Sequence, residues 1–504
     1  MPRVAVTSRR DFLRVSAVGV IGLGVASAAG CSDGRGGSSD AVPDGGPGRP
    51  FMQPTVLASS GGTLDVTLTA AAALVPWGSG RRWALTYNGT APGPTLQVRP
   101  GDRVRLTLVN DLDDPTNLHT HGLHVSPNGA SDNVFVMVGP GERHTYEYEI
   151  PADHRSGTFW YHPHHHELVA PQVHGGLAGA IVVRDAVDDE PALRGATERV
   201  IVISDPRVGS DAGILDVSHM EQMQGREGDV VTVNGRRNPV IATTAGSTEH
   251  WRILNASPSR YHRLHLDGPA MYLVATDGGR LARAERADDV LLAPGERVEL
   301  LVPIDRVGRS AFTSRAYDRG TPGMGGGMGG GMGGMGGGSG SSTDAAPLLT
   351  LEAGEGTGTD AVRPGSLSVA PPPAISDGTS ERDVVLSMGM GGGMGSGMSF
   401  EIDGSTFDPT RTDIEARLGT VETWRISNTS TMDHPFHLHV WPFAVLAASD
   451  GARPAPGWKD TVNVPAGGWV RVQVHFTDLA GRAVYHCHIL DHEDLGMMGV
   501  IDVR

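Results

Sequence analysis

A chain of 504 residues is too long for one ordinary hydrophobic core, and at ~100–200 residues per domain it divides into about three. A formal net charge of −16 argues against nucleic acid or anionic lipid as partner, since both need clustered Lys and Arg; most of these carboxylates serve solubility. With 71 Gly, few aromatics and short apolar runs broken by Gly, Pro, Asn and Asp, the chain reads as all-β.

At the N-terminus Ser8-Arg9-Arg10-Asp11-Phe12-Leu13 precedes an apolar run, Val15 to Ala29, that is shorter than the ~20 residues of a membrane-spanning helix. Paired arginines before Phe-Leu look like a twin-arginine export signal, which places the mature protein outside the cytoplasm, in the periplasm or on the outer cell surface. Cys31 closes Ala28-Ala29-Gly30-Cys31, which looks like a lipoprotein processing site with Ala where Leu is more usual. Membrane attachment through a lipidated Cys31 and simple cleavage nearby both stay open. Residues 32–50, rich in Gly, Ser, Asp and Pro, read as a tether, so residues 1–50 stand apart as signal and tether. Cys487 is then the lone cysteine of the mature fold, although an exported protein could use disulfides freely.

From residue 51 onward a phrase recurs three times: a turn, a Gly-containing loop, then an alternating strand ending in Asn. Its copies are Tyr87-Asn88-Gly89 leading to Val104–Asn110, Val233-Asn234-Gly235 leading to Trp251–Asn255, and Ile402-Asp403-Gly404 leading to Trp424–Asn428. A second phrase closes each copy, at Val138-Gly139-Pro140, Leu292-Ala293-Pro294 and Val464-Pro465-Ala466. Three β-sandwich domains are expected, over residues 51–190, 191–365 and 366–504.

The first and third copies share more. His119-Thr120-His121 and His437-Leu438-His439 follow the two strands at the same interval, and Tyr161-His162-Pro163-His164 and Tyr485-His486-Cys487-His488 come toward the ends of the copies. The middle copy's Tyr261-His262-Arg263-Leu264-His265 does not keep the His-x-His spacing. On a strand, His-x-His projects two imidazoles from one face. One such pair is weak evidence for a ligand, since core or exposed histidines usually explain it. Four pairs at equivalent places in two copies predict eight imidazoles meeting between the first and third domains around several metals.

The segment from Tyr485 to Met498 decides which metal. Two His, one Cys and a distant Met form the ligand set of a type 1 copper site, with Cys487 as thiolate, His492 five residues on and Met497 as axial thioether. His434, just before the third-copy His pair, is the natural second imidazole. Zinc is disfavoured, because structural zinc sites take more Cys and catalytic ones need no Met. Since Cys487 faces away from His486 and His488, one metal can sit on each side of this strand, a short path for electrons.

These motifs resemble those of the multicopper oxidase family, specifically the three-domain bacterial laccases and cuprous oxidases, over nearly the whole mature chain. The resemblance implies three cupredoxin-like β-sandwich (Greek-key) domains and four copper ions, one type 1, one type 2 and two type 3. It implies a type 1 site of His434, Cys487, His492 and Met497. His119 and His437 would hold the type 2 copper; His121, His162, His164, His439, His486 and His488 would hold the type 3 pair. It further implies oxidation of a reducing substrate coupled to four-electron reduction of O2 to water. Asp132 and Glu493 resemble acids that relay protons to the cluster, against turn capping as the plain reading for Asp132. His165, His166 and His174 read as outer or surface groups.

Two Gly-Met tracts, Gly323–Gly338 and Ser387–Met398, cannot build a core and read as loops or linkers. Low-complexity drift explains them, or their thioethers capture Cu(I). The resemblance favours the second, since cuprous oxidases involved in copper tolerance carry Met-rich insertions, so Cu(I), small phenols or other aromatic reductants are the expected partners beside O2. A monomer is favoured. Extracytoplasmic copper sequestration, with the oxidase centre secondary, is the alternative.

Overall fold

The computed structural model describes residues 48–504 apart from 79, 186–187, 189–190, 208–216, 322–344, 357–379, 391–397 and 452–456. The export signal, Cys31, the methionines of the 323–338 tract and Met394 lie outside the described residues.

The two repeated phrases have a physical basis. Asn88, Asn234 and Asp403 adopt left-handed backbone at φ 53°, 50° and 53°, which these short polar residues tolerate, with a glycine following each. Each side-chain oxygen accepts a strand amide, from Thr69 at 2.7 Å, Val202 at 2.8 Å and Val385 at 2.7 Å. The terminal asparagines then tie the first phrase to the second. Asn110, Asn255 and Asn428 donate to the carbonyls of Val138, Leu292 and Val464 at 2.9, 3.1 and 3.1 Å. Their Oδ1 atoms accept the amide two residues on, at 3.0, 3.0 and 2.9 Å.

Among the described residues six sheets result, two for each copy. The four-stranded sheet of the first copy runs Gly80–Tyr87, Thr63–Trp77, Arg103–Asn110, Arg143–Glu149, and its partner ends on the neighbours Gly179–Val183, Gly157–His162 and His119–His121. A six- and a five-stranded sheet form each of the other two. In every copy the Asn-ending strand pairs parallel with an earlier strand: Thr63–Trp77 with Arg103–Asn110, Thr197–Ser204 with Thr248–Asn255, and Ser380–Met390 with Thr420–Asn428. Alternation supplies the buried faces; in Arg103–Asn110, Val104, Leu106 and Leu108 turn inward while Arg103 and Arg105 stay exposed. Among the described residues the three largest cores lie around Leu68, Leu106 and Ile181, around Trp251, Leu300 and Phe312, and around Trp424, Val472 and Cys487.

The Ser387–Met398 tract is not wholly a loop. Its ends are hydrogen-bonded strands, with Met388 opposite Phe400 and Met390 opposite Met398. Val384 and Leu386 are buried, and Met388, next on the same face, packs partly buried against the third core. The glycine-rich composition concealed the two-residue period.

Candidate metal centres

Strand parity places the histidines. In the third sandwich His434–Leu438 pairs antiparallel with Gly481–Cys487, Phe436 opposite Cys487 and His437 opposite His486. His434, Phe436 and Cys487 therefore share the core face, while His437 and His486 look outward. In the first sandwich His119 lies opposite His162 and His121 opposite Trp160, while the alternate residues Phe159 and Tyr161 enter that core. The outward faces of the two sandwiches meet, and all eight imidazoles are buried there.

They interleave. His119 stacks on His439 with ring centroids 3.8 Å apart, and His121 on His437 at 3.7 Å. The Nε2 atoms of His164 and His439 lie 3.2 and 3.1 Å from that of His486. The same three residues, and the trios His119, His121, His162 and His119, His437, His439, bring their ring nitrogens within 4.8 Å of one another. His488 lies beside His121 at 5.0 Å between centroids.

On the core face a second group converges. His434 Nδ1 is 3.3 Å from Cys487 Sγ, His492 Nδ1 is 3.8 Å from it, and the two Nδ1 atoms are 3.3 Å apart. Each imidazole is oriented by its other nitrogen: His434 Nε2 bonds Ser430 Oγ at 2.9 Å, and His492 Nε2 donates to the Met223 carbonyl at 3.1 Å. Phe400 stacks on His492 at 4.2 Å. Met497 is buried in the same core, its carbonyl accepting the Cys487 amide at 3.0 Å.

Electrostatics favour metal over protons. Burial, with neighbouring imidazoles adding, pushes His119, His121, His437, His439 and His488 far below the ordinary histidine range, and takes His162 to about 3 and His164 to about 4. Burial takes His434 to about 3, whereas at Cys487 the same burial raises the thiol and favours its proton, which a metal must displace. Neutral imidazoles carry lone pairs, yet His119 Nε2, His162 Nε2, His437 Nε2, His121 Nδ1 and both nitrogens of His488 are buried without a hydrogen-bond partner. Orphaned buried nitrogens are costly, and a borderline-soft cation converts them into ligands. The donor set fits copper.

Three family models described as multicopper oxidase match residues 69–188, 210–325 and 380–504. The multicopper oxidase mco of Staphylococcus haemolyticus is 32% identical over 429 residues, 83% of each chain. The chain belongs to the multicopper oxidase family. The solved multicopper oxidase of Campylobacter jejuni, described as a metallo-oxidase, superposes with a TM-score of 0.77 at 29% identity, over 92% of this chain and 98% of that one. Another branch is also similar: the cell division protein FtsP of Yersinia pestis is 29% identical, over 84% of this chain and 85% of that protein. This multicopper oxidase is thus all-β with cupredoxin-like sandwiches, and an oxidoreductase acting with oxygen.

Two acids of this multicopper oxidase border the eight imidazoles. Asp132 Oδ2 accepts from His119 Nδ1 at 2.9 Å; burial raises its carboxyl to about 7 against the bond from Thr120. Glu493 Oε2 lies 3.0 Å from His486 Nδ1 and Oε1 3.4 Å from His164 Nε2. Four further histidines have structural partners: His174, buried rather than on the surface, donates to the Asp205 carbonyl, His165 donates to that of His166, His166 packs on Phe407, and His262 bonds Ser314. Sequence reasoning missed Asp460, 3.0 Å from His121 Nε2, with its carbonyl accepting from His437 Nδ1 at 2.8 Å. It also missed Arg297, which grips the Asp460 carboxylate at 2.7 and 2.6 Å, and Met223 over His492. The run Lys459-Asp460-Thr461 offered only its place before the closing phrase of the third copy.

Proposed function

We propose that this multicopper oxidase accepts electrons from Cu(I), and in vitro from phenols, at a type 1 copper bound by His434, Cys487, His492 and Met497. Three further coppers would be held by His119 and His437 (type 2) and by His121, His162, His164, His439, His486 and His488 (type 3). Copper so bound supplies one-electron redox chemistry and the four-electron reduction of O2 to two waters. The residues between the two groups do the rest. Cys487 is flanked in the chain by His486 and His488, so only a few covalent bonds separate them. Asp132 at His119 and Glu493 at His486 stand where protons would be passed inward.

The observation that carries the cuprous reading is the cover on His492. Its Nε2 is bonded to the Met223 carbonyl in the helix His219–Gln224, and Met223 and Met388 pack partly buried against the core that holds Cys487. A bulky phenol must displace that helix to touch the imidazole edge; a small soft ion held by thioethers need not. A role in copper tolerance, outside the cytoplasm, follows from this reading. The three sequence repeats are the basis for domain limits at 51–190, 191–365 and 366–504.

The test is oxygen uptake by the copper-loaded full chain with Cu(I), a phenol and an Fe(II) salt side by side. It is repeated after deleting 323–338 and 391–397, the second cut being confined to spare the hairpin of Met390 and Met398. Selective loss of Cu(I) turnover supports the reading, and Cu(I) turnover that survives both deletions removes the tracts from it. A silent electrode with copper bound well beyond four ions per chain would favour sequestration instead.

A further inference from the structure

The helix Leu490–Asp494 carries His492, at the type 1 group, and Glu493, at the eight imidazoles. Five residues cannot hold a helix by themselves, so its orientation is set by what grips it. Asp494 accepts the Val169 and Ala170 amides at 3.2 and 2.8 Å, and beside this a buried ion pair, whose arginine lies outside the ligand motifs, grips the helix. Arg226 donates from Nε to Asp491 Oδ1 and Oδ2 at 3.0 and 3.1 Å, from a terminal nitrogen to Oδ1 at 2.7 Å, and from its own amide to Oδ2 at 2.7 Å. Arg226 is 5% exposed and Asp491 2%.

We propose that Arg226 is a positioning residue for both copper groups, an inference that rests on the copper assignment above. Three observations carry it. Asp491 directly precedes His492 and Glu493, so the fork that orients its carboxylate orients their backbone. Arg226 also follows Gly225, the end of the helix whose Met223 carbonyl bonds His492, so one residue couples the cover to the ligand it covers. The grip is braced on both sides: Ser259 Oγ donates to the Arg226 carbonyl, and Leu490 donates to the carbonyl of Pro258 at 3.0 Å. Each of these partners lies in the middle sandwich's part of the chain, which supplies none of the predicted copper ligands. That part takes part in the site by aiming a ligand helix.

A buried ion pair is weak evidence for stability, and replacing both partners by apolar groups of similar volume is often neutral. Stability and positioning can therefore be separated. In the copper-loaded full chain we would compare Arg226→Lys, which keeps the charge but loses the fork, Asp491→Asn, and the double variant Arg226→Met with Asp491→Leu. The readouts are the blue absorption and type 1 EPR signal, the type 1 potential, copper content, and the rate at which O2 reoxidises the prereduced blue centre. The expected result is a shifted type 1 spectrum and about 10–100-fold weaker type 1 copper retention or slower reoxidation, the size of effect typical of groups behind ligands. The double variant should show this change while its copper-free form unfolds at the temperature of the copper-free wild type.

A double variant with wild-type spectrum, potential and reoxidation rate overturns the proposal. Should the double variant not fold, Arg226→Lys with wild-type spectrum and reoxidation overturns it equally. If the wild-type chain loaded with copper shows no blue absorption, the copper assignment fails, and Arg226 is not what failed.

Discussion

Asp132 and His119 form a buried pair in which the carboxylate, steadied by the Thr120 amide at 2.8 Å, holds His119 Nδ1 at 2.9 Å and leaves Nε2 free toward the other imidazoles. The carboxylate thereby selects one tautomer. In Asp132→Ala the ring loses that restraint. Copper retention at the proposed type 2 position should weaken about 10–100-fold. EPR-quantified type 2 copper should fall while the blue absorption persists; equal loss of both signals would contradict the placement.

Cys487 is the only thiol among the described residues and is buried beside His434 and His492, the proposed type 1 group. Cys487→Ser should abolish blue absorption and substrate oxidation while the eight imidazoles still bind copper. Absorption spectra beside copper analysis decide it, and retained blue colour would overturn the ligand assignment.

Gly225 sits at φ 79°, and a Cβ there would lie 2.6 Å from Ile489 Cγ2 and 2.8 Å from Ser259 Cβ. Gly225→Ala should cost about 1–3 kcal/mol in strain and crowding. By pushing the Met223 helix off His492, it should also raise the ratio of phenol to Cu(I) turnover. Urea midpoints and paired oxygen-uptake assays test both parts.

Arg252 is fully buried and meets Glu299, Glu198 and Asp188 at 2.5, 2.8 and 2.8 Å. Arg252→Met leaves these carboxylates to Arg184, Arg280 and His250 and should destabilise by about 1–3 kcal/mol. Denaturant titration of the copper-free protein would show it; a loss below 1 kcal/mol would mean that water reaches the network.

His154 is buried, accepting from the His124 amide at 3.0 Å and donating to the Arg155 carbonyl at 2.8 Å. Burial lowers it from 6.5 to about 3. Because the folded value is depressed, the unfolded chain binds the extra proton between these limits. The contribution is complete above about 6.5 and is lost as pH falls toward 3, at about 1.4 kcal/mol per pH unit. His154→Gln can keep both hydrogen bonds without titrating. Its copper-free form should lose about 2 kcal/mol less than wild type between pH 7 and 5.

The parts of this protein legible in its sequence are those governed by local periodicity. The two-residue period put His119 with His121 and His437 with His439 on single faces, and set Cys487 opposite to its neighbours, before any partner strand was known. The recurring Asn110, Asn255 and Asn428 marked three equivalent strands because each asparagine makes its bonds within its own copy. Ser387–Met390 was misread because glycines between the methionines hid the same period.

The tertiary structure alone decided which distant groups aim those ligands. His121 meets Asp460 across 339 residues and Asp491 meets Arg226 across 265. Nothing local signals such pairs, since an Asp in a loop and an Arg after a Gly look alike whether or not they meet. The cover on His492 is likewise a backbone carbonyl, which every residue possesses and only the fold can deliver. Covalent order and strand parity sufficed to group the candidate ligands; their tautomers, orientation and exposure depend on burial against a second sandwich, which exists only once the chain has folded.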